Sequence, residues 1–191
     1  FNKKINKVEE KNKKIIINFT DGAIEEVDYI IVSDGVFSNT KSIIENKKFQ
    51  PKYFGAIAVR TQVKVQDISN LNINNISLIM GSNAHLVLYP VNQSKEFNLV
   101  CIIRKKIQNN EDIKQFLDRT IFKQNKNLVN LFKDDLKSWS IYSSSKAFKS
   151  IYKNVFYIGD AFYTFPPTMA QGATQAIEGA DEIFNLIKDN H

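Results

Sequence analysis

Apolar positions along this chain follow two periods, and the change of period marks its elements. Lys13 to Phe19 is an apolar-rich run of strand length, and the Asp21-Gly22 pair after it is a strong hairpin signal. Ala23 to Val27 predicts the returning strand of a β-ribbon, and Val27 to Val32 a further short β-rich run. Phe54–Val65, Ile76–Met80, His85–Tyr89 and Phe97–Ile103 read as strands, punctuated by Gly55, Gly81-Ser82-Asn83 and Pro90-Val91-Asn92-Gln93. Strands that follow one another through short turns predict an antiparallel sheet. The period then becomes helical over Glu111–Thr120 and Asn127–Lys137. Ile113, Phe116 and Leu117 are the inward positions of the first helix, with Leu128, Leu131, Phe132 and Leu136 those of the second. A last helix is predicted from about Gln171, where Ala173, Ala176, Ile177, Ala180, Ile183, Phe184 and Ile187 share one face.

The segment from Val155 to Ala180 concentrates the candidate chemistry. Val155 to Ile158 is a short, partly β-branched and aromatic run that predicts a buried strand stopped by Gly159. Asp160 then falls where the carboxyl end of a strand opens into a crevice, the usual ligand position of open α/β sheets. Pro166 and Pro167 exclude regular helix and central strand, so the chain runs there as a stiff loop. Small residues at the helix start, Ala170, Gly172 and Ala173, let another molecule approach the unpaired N–H groups of the first turn. Strand, acidic turn, proline loop and helix start together form a cradle. A second strand-to-helix passage begins at Ser33-Asp34-Gly35, where Ser38 is placed to cap a helix through Ile44, with Asn39 or Ser42 as other possible starts.

Composition narrows the function classes. The chain has 191 residues, 43% of them hydrophobic, which is enough for a core and argues against disorder. Its formal charge of +6 raises the possibility of nucleic acid or another acidic partner. The lysines are scattered among asparagines, however, so a solvated surface is the better reading and no nucleic-acid partner is expected. Cys101 is the only cysteine and lies in an apolar run, which excludes an internal disulfide and predicts a buried thiol. With His85 and His191 as the only histidines, no metal site is expected, and His85 reads as a sheet-face residue. The absence of a long apolar span leads to the expectation of a cytoplasmic protein without stable membrane insertion.

Residues Gly159, Asp160, Ala161, Pro167, Ala170, Gln171, Gly172, Ala173, Gln175, Ala176, Ile177, Glu178 and Ala180 together resemble, without a gap, a known motif. It is the second flavin-binding motif of FAD-dependent aromatic hydroxylases, the para-hydroxybenzoate and salicylate hydroxylase group. Tyr163, Thr174 and Gly179 depart from the histidine, asparagine and aspartate frequent there. Asp34-Gly35-x-x-Ser38-x-x-Lys41 is similar to the other shared motif, with lysine at the arginine position, so the charge survives without the bidentate fork.

The resemblance implies that Asp160 accepts hydrogen bonds from the ribityl chain of FAD and that Gln171, Gly172, Ala173 and Thr174 face the pyrimidine edge of the flavin. Gly159, Ala161 and Pro167 complete that cradle, while Asp34, Gly35, Ser38 and Lys41 approach the pyrophosphate. It also implies an α/β (α+β) fold: a partial, Rossmann-like FAD-binding domain over 1–48 and 140–191, with an inserted substrate-binding domain of antiparallel sheet plus helices over 49–139. Trp139 is expected in the core at the return between them. Arg60 and Tyr163 are the candidate substrate contacts. The implied activity is hydroxylation of an aromatic or conjugated small molecule with NADH or NADPH and O2. A related flavin reductase or halogenase, or a non-catalytic interaction module, are the alternatives. No catalytic side chain is singled out, because in such enzymes the cofactor carries the chemistry. The chain has seven glycines and no GxGxxG, so it is expected to be an incomplete portion of a flavoprotein that holds FAD weakly or not at all.

Overall fold

The computed structural model describes residues 2–71, 73, 75–104, 117, 126–132, 136–144, 146–167 and 170–189. The chain divides into two compact units, one of Phe1–Lys52 with Tyr142–His191 and one of Tyr53–Ile141.

In the first unit, β1 (Ile5–Lys11), β2 (Lys14–Phe19) and β3 (Ile24–Val27) form an antiparallel ribbon in that order. Asn12 and Lys13 between β1 and β2 both have positive φ, as a two-residue hairpin of this kind requires. Strand β1 escapes the hydrophobic pattern because five of its seven residues are charged or amide side chains, and only Val8 is fully buried. At the next turn, Asp21 Oδ1 accepts from Ala23 N at 3.0 Å, and Gly22 takes a φ of 85°. The predicted run Val27–Val32 is split at Asp28-Tyr29, because its ends serve different sheets. Val27 closes β3 against β2, while β4 (Ile30–Val32) pairs in parallel with β10 (Val155–Tyr157). The short helix α1 (Asn39–Ile44) follows β4, and α3 (Gly172–Asp189) closes the chain. Val8, Ile15, Ile17, Ile30, Val32, Ile44, Val155, Tyr157 and Ala161 make the core of this unit.

The second unit is built on a five-stranded sheet of order β6-β7-β8-β5-β9. Its strands are β5 (Lys52–Lys64), β6 (Ser77–Met80), β7 (Ala84–Val91), β8 (Glu96–Ile103) and β9 (Lys137–Ser143). Alternation places Phe97, Leu99, Cys101 and Ile103 on one face of β8, where they bury with Leu86, Leu88, Val59, Leu117, Leu128 and Phe132. Burial pushes the Cys101 thiol up to about 12, so it stays protonated and inert. His85 is only partly buried, and that burial lowers its proton affinity, with Arg104 adding to the effect.

Three expectations are corrected here. Helix α2 is confined to Lys126–Val129, and Lys137 begins strand β9 instead of ending a helix. Pairing at the sheet edge overrides the helical spacing there, and Leu131, Phe132 and Leu136 still face the core. Trp139 is 49% exposed: β9 is an edge strand, and of its face only Ile141 reaches the small cluster with Ala56 and Ile102. Helix α3 buries no residue fully. Ala176, Ile183 and Ile187 are half-buried, but Ile177 and Phe184 are 71% and 62% exposed. The apolar face therefore consists of two stripes, and the described residues cover one of them. The expected helix over Glu111–Thr120 lies outside the described residues, apart from Leu117, which is buried. No described helix is long and apolar enough to cross a membrane.

Leu99 is fully buried at the middle of β8, paired to Thr61 on one side and Leu88 on the other. Leu99→Ala is expected to cost about 2–5 kcal/mol through lost burial and a residual cavity. Urea unfolding followed by circular dichroism checks this, and a shift below about 1 kcal/mol would contradict the packing described.

Candidate active site

The site rests on the pairing of two three-residue strands. Ile30, Ile31 and Val32 lie opposite Val155, Phe156 and Tyr157, and Ile158 N extends the pairing by donating to Val32 O at 3.0 Å. Parallel alignment sends both carboxyl ends the same way, so the turns after β4 and β10 emerge side by side. Between them opens a cleft of about 560 Å³, lined by Ser33, Gly35, Ile158, Gly159, Asp160, Phe165, Pro167, Ala170, Gly172, Ala173 and Ala176. Two segments separated by more than a hundred residues thus contribute to one cavity.

Each wall has its own internal support. On the β4 side, Gly35 turns the chain with a φ of 84°, and Asp34 Oδ2 accepts from Thr40 N at 3.1 Å. Ser38 is buried and caps α1, its Oγ accepting from Lys41 N at 3.0 Å. Asp34 and Ser38 are therefore engaged in shaping their own turn. Lys41 is buried and does not line the cleft; its ammonium lies against the Phe148 ring, 4.7 Å from the centroid.

On the β10 side, Gly159 has a φ of 54°, and a Cβ there would stand 3.4 Å from Ala176 Cβ. Glycine is needed for the turn and also lets α3 approach it closely. Gly159 O then accepts from Phe162 N and Tyr163 N, at 3.0 and 2.9 Å, and Thr164 Oγ1 donates to Asp160 O at 2.9 Å. The loop beyond is pinned from outside. Thr164 N donates to Ser144 Oγ at 3.0 Å, and Ser144 N donates to Thr164 O at 3.1 Å. Ala161 is fully buried in the core, so it anchors the turn and leaves the lining to its neighbours.

Asp160 lines the cleft, and no described residue donates a hydrogen bond to its carboxylate. Partial burial raises its pKa above the usual carboxylate value. At the opposite lip, Ala170 has a φ of 53°, uncommon for a residue with a Cβ, immediately before the helix. The first bond of α3 runs from Gln175 N to Gln171 O at 2.9 Å, which leaves the amides of Gly172, Ala173 and Thr174 without intrahelical partners. Gln171 and Thr174 are exposed and outside the lining. Tyr163 is likewise outside it. Its ring packs edge-on against Phe165 at 4.6 Å and lines a neighbouring, mostly apolar cavity of about 930 Å³ with Phe148, Phe156 and Ile183.

Sequence reasoning missed Ser33, Ile158, Phe165 and Ala176 as lining residues. Ser33 and Ile158 end the two strands and could have been found from that position alone. Arg60 belongs to the second unit, where its Nε donates to Asn98 Oδ1 at 2.8 Å, and the Asn98 amide in turn donates to Tyr89 OH. Among the described residues no three His, Cys, Asp or Glu side chains gather where they could hold a metal ion.

The squalene epoxidase family model matches residues 27–191, which takes in both walls of the cleft and the whole second unit. The chain belongs to the squalene epoxidase family. Curated relatives of this family member include an FAD-dependent monooxygenase of Phoma sp, 24% identical over 94% of this chain and 45% of its own length. A 3-hydroxybenzoate 6-hydroxylase of Aquipseudomonas alcaligenes is also 24% identical, over 94% of this chain and 58% of that protein. The fold is shared with Klebsiella pneumoniae HpxO, solved with FAD and uric acid, at a TM-score of 0.74 and 21% identity. That match covers 94% of this chain and 49% of the other. The chain therefore spans about half the length of the relatives it matches. As a family member it has the mixed α/β architecture of the FAD-dependent hydroxylases, which agrees with the resemblance carried by its two motifs.

The raised pKa of Asp160 makes a stability prediction. In the folded chain Asp160 holds its proton more tightly than at the ordinary value of 3.8. The stability it contributes is full below the unfolded pKa and is lost as pH rises through the folded one. Asp160→Asn should therefore gain on the wild type as pH rises from about 3.5 towards neutrality. Thermal melts across that range check the sign, and a difference in Tm that does not change with pH would contradict it.

Proposed function

We propose that this chain is the flavin-cradling and substrate-binding portion of an FAD-dependent monooxygenase. The whole protein would hydroxylate an aromatic or conjugated small molecule, with NADH or NADPH as reductant and O2 as oxidant. The observation that carries the reading is the convergence of Gly35 from one motif with Gly159, Asp160, Pro167, Gly172 and Ala173 from the other on a single cleft.

The chemistry of the lining fits FAD. Asp160 is acceptor-only when ionised, and a ribityl chain presents hydroxyl donors. The amides of Gly172, Ala173 and Thr174 can donate to the electron-rich carbonyl edge of the ring, with the dipole of α3 behind them. Gly35 admits a ligand backbone to its wall, because nothing lies within 4 Å of where its Cβ would be. Pro167, Ala170 and Phe165 give the cleft an apolar lining. Asp34, Ser38 and Lys41 act on FAD through the shape of the turn they hold.

When bound, FAD supplies the redox chemistry that passes two electrons from NAD(P)H to O2. One oxygen atom enters the substrate and the other leaves as water, with one proton consumed. The protein's own part is to bind, orient and exclude water. Residues 53–141 would carry the substrate, with Arg60 available through the terminal nitrogens of its guanidinium, since Asn98 holds only Nε. Tyr163 would border the flavin cleft from the adjoining apolar cavity.

Titration of FAD with the chain, read as quenching of flavin fluorescence, tests this directly. Saturable quenching is expected at the weak end of flavoprotein affinities. Asp160→Ala is expected to weaken it about 10-fold or more, the worth of a hydrogen bond to a charged acceptor. No saturable quenching by a chain shown to be folded by circular dichroism would refute the reading.

A further inference from the structure

Lys41 is the one charged side chain among the described residues that is buried, with 8% of its surface exposed. Lysine is almost never buried without a counter-charge, yet no described carboxylate reaches ion-pair distance of its ammonium. Three aromatic rings surround it instead. Nζ lies 4.7 Å from the centroid of Phe148, 5.6 Å from Tyr157 and 5.7 Å from Phe49. Phe148 meets Phe49 at 80° and Tyr157 at 86°, so the rings stand as walls around the cation and not as a stack beneath it.

The electrostatics decide how this cage is held. Burial favours the neutral amine, whereas the charges of Asp34 and Glu45 favour the ammonium. Glu45 is itself clasped, its Oε1 accepting from Ser150 Oγ at 2.9 Å and from Tyr157 OH at 3.0 Å. Every part of the arrangement belongs to a segment that supports one wall of the cleft. Lys41 lies within α1 and Glu45 ends it, and α1 follows directly on the Asp34-Gly35 turn. Tyr157 stands two residues before Gly159, and Phe148 N donates to Phe162 O at 3.2 Å, just beyond Asp160.

We propose that Lys41 is a positioning residue: its caged ammonium ties α1 to β10 and so fixes the Gly35 wall of the cleft relative to the Gly159–Asp160 wall. The role requires a cation, because an apolar side chain of equal length would fill the cage without drawing Glu45 and the ring faces together. The effect on ligand affinity rests on the flavin reading above; the coupling of the two walls does not.

Lys41→Met and Lys41→Arg, compared by FAD titration at a temperature where both are folded, provide the test. Lys41→Met should bind FAD ~10-fold more weakly, and Lys41→Arg, which restores a cation suited to ring faces, should return to within ~3-fold of wild type. Wild-type affinity in Lys41→Met, or equal losses in the two variants, overturns the proposal. Should Lys41→Met not fold, Phe148→Leu removes the nearest ring and keeps every charge: weakened FAD binding supports the proposal and unchanged binding overturns it. If the wild-type chain binds no FAD, the flavin reading fails, and amide NMR shifts in whichever variant folds decide the coupling. Movement of both Gly35 and Gly159 supports it, and an unmoved Gly159 overturns it.

Discussion

The parallel pairing of Ile30–Val32 with Val155–Tyr157 is the constraint on which the rest of the site depends. The two strands lie more than 120 residues apart, so their union closes a long loop, and three residue pairs with two additional hydrogen bonds, Ile30 N to Asn154 O and Ile158 N to Val32 O, are little to hold it. The supplement comes from burial. Ile30, Val32, Val155 and Tyr157 all enter the same core as Ile44 of α1 and Ala161 of the turn after β10. Each is packed against elements that shape the cleft, so core and site cannot be loosened separately. Displacing β10 by one residue would exchange its buried and exposed faces and carry Gly159 away from Ala176.

That dependence explains why so many polar side chains near the cleft point away from it. Asp34, Ser38, Ser144 and Thr164 spend their hydrogen bonds on backbone groups of the turns. A turn of this kind has backbone donors and acceptors that regular structure does not satisfy, and leaving them buried and unpaired would cost about 1–3 kcal/mol each. Asp160 is the contrast. No described residue donates to its carboxylate, and burial disfavours its charge, so the ionised group weakens the fold at neutral pH.

The parts of this arrangement legible from residues alone are those set by local chemistry. Apolar runs bounded by turn residues located β5 to β8; Gly22 and Gly81 marked turns, whereas Pro90 lies inside β7; and Ser38 identified its helix start. The grouping of Asp34-Gly35 with Gly159-Asp160 was readable only through their joint likeness to a known pair of motifs. The misses share a different cause. Strand β1 is held by hairpin geometry and not by hydrophobicity, and Lys137, the last residue of the expected helix, opens β9 at a sheet edge. The cage around Lys41 draws Phe49, Phe148 and Tyr157 from three separate segments. No spacing within the chain announces such a meeting, and the motif that singles out Lys41 implies a place near a pyrophosphate and not within a ring of aromatic side chains.

The composition of the cleft also bears on what kind of ligand it suits. The amides at the start of α3, which have no intrahelical partner, would by themselves favour a phosphate or a carboxylate. Asp160 lines the same cavity, and its ionised carboxylate repels an anion placed there, which offsets what the helix terminus offers it. The combination suits a ligand that presents hydroxyl donors to the carboxylate and neutral carbonyl acceptors to the amides, with an apolar body against Ile158, Phe165 and Pro167. A polyhydroxylated chain joined to a flat, carbonyl-edged ring meets all three conditions, and a simple phosphate ester or metal ion meets at most one.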